Sequence, residues 1–244
     1  MENNIIEPQP PQLHNEEDLD LPVRMWKTSD TWIGLGILIV LIISFTSVIV
    51  ALGISENIGA GLLIIPELLM LIPIAVIFIW RKIPWEGLGF SKFKREDLIL
   101  GFGILLVVYF FSIINNILMM MFGVLTQAEV VFDVLEEIDS LALFAFSSMI
   151  LAPICEELFF RGFLFKGFST KYGWKISLVL SSLIFSIFHG QVATLIPTFL
   201  LGALFAYLYQ RTQSLFPSMI LHFAVNSIGT CGLLFAYQFG LTQI

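Results

Sequence analysis

Three short stretches place proton-handling side chains in an otherwise apolar sequence: EELFFR, with Glu156, Glu157 and Arg161; FSIFH, from Phe185 to His189; and HFAVN, with His222 and Asn226. Carboxylates and imidazoles abstract and return protons near neutral pH, and aimed N–H donors can stabilise a developing oxyanion. Such a set could activate water for hydrolysis. Within EELFFR, Glu157 and Arg161 are four residues apart and can pair along one helix face, while Glu156 is rotated by about 100° and points elsewhere. On this spacing Glu157 and Arg161 form a brace, and Glu156 is the acid left free for chemistry. His222 and Asn226 are one turn apart on one face, and both can donate hydrogen bonds.

The elements that must position these groups are membrane helices. Of 244 residues, 57% are hydrophobic and only 13% are charged, which excludes an ordinary soluble domain. The fold class expected is all-α, a polytopic transmembrane bundle. A helix needs roughly 20 residues to cross about 30 Å of hydrocarbon, and the apolar runs supply about seven spans. They fall near 31–54, 58–80, 98–123, 141–165, 174–190, 192–210 and 215–237. Apart from Arg161, every Lys and Arg lies in alternate connections: Arg24 and Lys27; Arg81 to Arg95; Lys166, Lys171 and Lys175; and Arg211. By the positive-inside rule this predicts a multi-pass protein of the cytoplasmic membrane with its N-terminus inside and its C-terminus outside. Trp26, Trp32, Trp80, Trp85 and Trp174 all fall at the cytoplasmic ends of these spans, where an amphipathic ring belongs.

Residues 1–27 read as a disordered acidic tail and 28–244 as the transmembrane domain. The tail lacks the basic start and early apolar core of a secretory signal. It carries much of the net charge of −7, so that charge says little about partners of the membrane part; a lipid bilayer is implied and nucleic acid is not. His14 in the tail reads as solvated and inert. TQAEVVFDVLEEID spaces Val130, Val131, Val134, Leu135 and Ile138 helically among acids, as an amphipathic helix at the outer surface would. No internal repeat supports an inverted-repeat transporter.

An ionisable side chain at bilayer depth is a functional candidate by default. From the cytoplasmic ends, at about 1.5 Å per residue, Glu156 lies about 15 Å deep, His222 about 16 Å and His189 about 21 Å. One shared site on three helices would look like this. Glu67, between Pro66 and Pro73, suits a kinked helix lining a cavity as well as a structural role. Asn115 and Asn116 read as interhelical hydrogen bonders. Cys155 and Cys231 read as small buried side chains; a thiolate beside carboxylates is disfavoured, which argues against a thiol protease.

In combination, EELFFR, FSIFH and HFAVN resemble the signature EExxxR, FxxxH and HxxxN of the CPBP family of intramembrane proteases, which includes the type II CAAX prenyl endopeptidases and the bacteriocin-processing and self-immunity proteins. The resemblance covers about residues 140–235 and departs at no signature position. It implies that Glu156 and His189 activate a water, that His222 and Asn226 stabilise the oxyanion, that Glu157 and Arg161 brace the helix, and that Phe185 packs beneath His189. The substrate implied is a membrane-associated peptide or protein tail. A zinc ion on Glu156, His189 and His222 is the competing reading; a metal-independent glutamate mechanism is preferred because HExxH is absent. Two other classes stay open: a non-catalytic immunity or membrane binding protein and, ranked below it, a small proton-coupled transporter using Glu67.

Overall fold

The computed structural model describes residues 25–53, 59 and 61–241, and among these the chain is helical with no strand. Of the tail assigned to residues 1–27, residues 1–24 lie outside the described residues. Among the described residues six helices are long and apolar enough to cross a membrane. The first three are Thr28–Ala51 (α1), Gly61–Arg81 (α2) and Arg95–Met121 (α3). Then comes the shorter amphipathic helix Gln127–Glu137 (α4). The backbone N–H and hydroxyl of Thr126 both donate to Glu129 at its start, holding that carboxyl below its usual range.

The fourth long helix, Leu141–Phe188, has 48 residues. Drawn straight it would reach about 72 Å, more than twice the hydrocarbon thickness. It does not run straight. Gly173 sits at φ 71° and ψ 162°, outside helical geometry and in a region that favours glycine. The rings of Phe160 and Phe185 lie 5.0 Å apart, although 25 residues of continuous helix would separate them by about 37 Å. The chain therefore folds back at Gly173 into 141–172 (α5) and 174–188 (α6). Val192–Thr212 (α7) and Phe216–Gln238 (α8) complete the bundle. Counting α5 and α6 separately gives the roughly seven passes expected.

The core centres on α5, whose Phe159, Phe160, Phe163, Phe165 and Phe168 are all at most 1% exposed. Large apolar side chains point outward elsewhere, with Ile79 at 75%, Leu106 at 73% and Met121 at 76% exposure, as a lipid-facing surface requires. Two ion pairs tie helix ends together: Asp30 at the start of α1 with Arg81 at the end of α2 (2.6 Å), and Asp97 of α3 with Arg211 of α7 (2.7 Å). Four of the five tryptophans are exposed, as an interfacial belt would have them. Trp26 differs: it is buried, stacks on Phe163 at 5.5 Å and donates to the hydroxyl of Thr31. The sequence reading counts it with the interfacial tryptophans, within the residues 1–27 assigned to the tail; its partners come from α1, α2 and α5.

Close approach of α1 to α5 depends on Gly167, where an added methyl would collide with the Thr31 hydroxyl and the Trp26 ring nitrogen. Gly167→Ala is expected to lower stability by about 1–3 kcal/mol through overpacking. Gly103→Ala, where the added atom meets open space, is expected to be neutral or slightly stabilising. Thermal unfolding in detergent micelles compares the two.

Candidate active site

The acidic pair is presented by an unusual length of helix. Ser147–Leu151 and Glu157–Phe165 are wound as π-helix, flanking the α-helical turn Ala152–Glu156. Wider winding of this kind shifts side chains off the ordinary helical register and recurs at functional sites. Here it carries Glu157 and Arg161 into the centre of the bundle, at 0% and 1% side-chain exposure.

Arg161 Nη1 and Glu157 Oε1 form an ion pair at 2.9 Å, not aligned well enough to count as a hydrogen bond. The guanidinium also donates to the Gly202 carbonyl at 3.3 Å and lies over the rings of Phe185 and Phe205, 4.4 and 5.1 Å from their centroids. The cation is thus enclosed by a carboxylate, a carbonyl and two aromatic faces. Gly202 permits that enclosure. A Cβ there would press on Ser182 at 3.1 Å and on the Phe185 ring at 3.2 Å, so α6 and α7 would have to part by a few tenths of an ångström.

His222 of α8 joins both acids. Its Nδ1 lies 2.9 Å from Glu157 Oε1 and its Nε2 lies 3.4 Å from Glu156 Oε2. Because a carboxylate only accepts, Nδ1 carries the hydrogen toward Glu157 and Nε2 faces Glu156. The ring is 4% exposed, stacked on Phe205 at 4.8 Å and edge-on to Phe185 at 5.9 Å. The structure adds a contact to the expected brace: Glu157 faces an imidazole as well as pairing with Arg161, and one ring lies between the two carboxylates. Rotation about a single helix axis cannot reveal a bridge that comes from another helix.

His189 ends α6 above Phe185, with ring centroids 4.6 Å apart. Its Nδ1 donates to the Phe185 carbonyl at 2.9 Å, which leaves Nε2 as the atom free to accept a proton or hold a water. His189 and His222 therefore share Phe185 as a common floor. Asn226 donates to the Ser148 carbonyl at 2.8 Å, where α8 meets the π-helical turn. It does not share the partners of His222, although the two lie one turn apart.

A 450 Å³ cavity is lined by His189 and Asn226 together with Tyr109, Asn116, Ser148 and Thr198. Glu156, at 12% side-chain exposure, and His222 are not part of that lining. Among the described residues no three His, Cys, Asp or Glu side chains gather as a metal ligand set would, and this includes Glu156, His189 and His222. Glu67 belongs to a segment of α2 that packs against Ala152–Glu156, within electrostatic reach of Glu156, and its Oε2 is buried without a hydrogen-bond partner. Cys155 is buried at 1% exposure.

The sequence reading has Asn115 as an interhelical hydrogen bonder and misses Ser186, Phe205 and Gly202. The turn after His189 is clamped by Asn115, which donates to the Ala193 carbonyl at 2.7 Å, and by Ser186, which donates to the Leu195 carbonyl at 2.6 Å. Phe205 and Gly202 lie outside all three motifs. A buried Asn in a lipid-soluble run was a visible signal for Asn115; nothing local marks Phe205 in a chain with 24 Phe.

Residues 138–228 match the family model described as type II CAAX prenyl endopeptidase, Rce1-like. YdiL of Bacillus subtilis, provisionally named a membrane peptidase, is 27% identical over 157 residues, or 63% of this chain and 64% of its own length. The UPF0177 protein YxdF of Lactococcus lactis is 31% identical over 81 residues, or 33% of this chain and 44% of its own. The chain thus spans less than two thirds of the curated relatives it matches. No solved structure matches it.

Proposed function

Because residues 138–228 match the Rce1-like family model, we propose that this multi-pass membrane protein is an intramembrane endopeptidase of the CPBP kind. It hydrolyses a peptide bond of a membrane-associated peptide or protein tail. The observation that carries this reading is the line Arg161, Glu157, His222, Glu156, a buried chain of charge and hydrogen-bonding groups that ends on a carboxylate.

In this reading Glu156 is the general base. It takes a proton from water as the oxygen bonds to the peptide carbonyl carbon, and His189, with Nε2 free, holds the water from the cavity side. When the C–N bond breaks, the proton passes to the departing amine. His222 in its doubly protonated form, with Nδ1–H held by Glu157, has a second N–H on Nε2 to offer the oxyanion beside Glu156. Asn226 supplies the other amide donor. Arg161 and Phe185 position rather than react.

The mechanism proposed needs no metal. Exhaustive chelation is expected to leave peptidase activity unchanged. Stoichiometric zinc together with chelator-sensitive turnover would defeat the glutamate mechanism. In this reading the protein lies in the cytoplasmic membrane with its C-terminus outside, so a reporter fused after Ile244 is expected to be accessible only from outside the cell. The non-catalytic immunity or binding reading is separated by substrate trapping: the Glu156→Gln protein should retain uncleaved peptide that the unsubstituted protein releases as two fragments.

A further inference from the structure

Two cavities meet at the end of the bundle that carries α4. The inner one contains His189 and Asn226. The outer one, 720 Å³, lies between α3, α4 and α8 and is walled by Met120, Val124, Phe132, Ile228 and Ala236. Asn116, Gln127, Gly229 and Leu233 line both, so the spaces are contiguous. Along α8 the groove floor is bare backbone: at Gly229 and at Gly232 an added Cβ would meet nothing within 4 Å. The space beside these glycines is open rather than filled by a packed neighbour.

An acyl chain would need only apolar walls. The threshold instead carries two carboxamides, Asn116 and Gln127, each offering donors and an acceptor that match a peptide backbone. Covering them with hydrocarbon would leave polar groups unpaired. We propose that this groove admits the substrate as an extended peptide: apolar side chains on one side of the scissile bond seat against Met120, Phe132 and Ile228, and Asn116 and Gln127 hydrogen-bond its backbone on the way to His189 and Asn226. The proposal rests on the peptidase reading and adds the chemical class of the substrate.

The test uses full-length Glu156→Gln protein in detergent micelles and a fluorescein-labelled decapeptide whose C-terminal half is Leu and Phe. Saturable binding is expected. Adding Gly232→Phe is expected to weaken it at least tenfold, whereas Gly232→Ala and Gly103→Phe, the latter on the outer face of α3 with open space around it, leave it within twofold. Replacing the apolar half of the peptide by Ser should also weaken binding tenfold. Equal affinity for the Gly232→Phe and Gly103→Phe proteins, or no saturable binding at all, would overturn the proposal. So would displacement of the peptide by palmitate at lower concentration than by unlabelled peptide, which would assign the groove to an acyl chain. If binding behaves as expected but the unsubstituted protein cleaves the peptide no faster than Glu156→Gln protein, the peptidase reading fails and the groove assignment stands.

Discussion

Replacing Glu156 by Gln is expected to lower peptide hydrolysis by about 10²–10⁴-fold, the range a lost general base produces, with the fold intact. Gln keeps the size of the side chain beside His222, but it cannot accept the proton of water. The Glu157–Arg161 ion pair is untouched by the change, so no buried charge is orphaned. Turnover of an internally quenched peptide, read beside thermal unfolding in the same micelles, separates chemistry from stability. Glu157→Gln is the informative companion. It removes the negative charge that pairs with Arg161 and faces His222, so activity and melting temperature should fall together. Peptidase activity that survives Glu156→Gln would sink the enzyme reading and favour an immunity or binding role.

Arg161→Leu is expected to destabilise the protein by about 3–5 kcal/mol, the usual consequence of removing one partner of a buried ion pair. Glu157 would stay at 0% exposure with only His222 to share its charge. Arg161→Lys should recover only part of the loss. An ammonium cannot reproduce a planar cation lying between the Phe185 and Phe205 rings while also reaching the Gly202 carbonyl. The double change Glu157→Leu with Arg161→Leu distinguishes an orphaned charge from lost packing: it should regain stability over Arg161→Leu alone yet remain inactive, because His222 has lost the group that orients it. Chemical unfolding in mixed micelles measures all three. A stability equal to the unsubstituted protein for Arg161→Leu would show that the pair contributes nothing.

Both predictions concern residues visible in the sequence, and that visibility has a physical basis. In lipid an unpaired charge is so unfavourable that few are present, and each stands out against its surroundings. Glu156, Glu157, Arg161, His189 and His222 could be singled out on that ground alone. Their partners could not. Ser186, Phe205 and Gly202 hold the site through a carbonyl, a ring face or a missing side chain, and in an apolar helix such residues look like any other; Asn115 stands out as a polar group, but its partner, the Ala193 carbonyl, does not.

The sequence by itself determined the membrane class, the approximate number of passes, the boundaries of the apolar helices and the identity of the charged groups. Each of these follows from local composition set against a fixed hydrocarbon thickness. Only the tertiary structure decided which carboxylate meets which nitrogen. A helical wheel gives angles about one axis, and the His222 ring arrives from another helix and reaches Glu156 and Glu157 on opposite edges. The reversal at Gly173 is of the same kind. A glycine followed by Trp174 and Lys175 marks a break, but only the packing of Phe160 on Phe185 shows that the chain turns back there and brings His189 to the site.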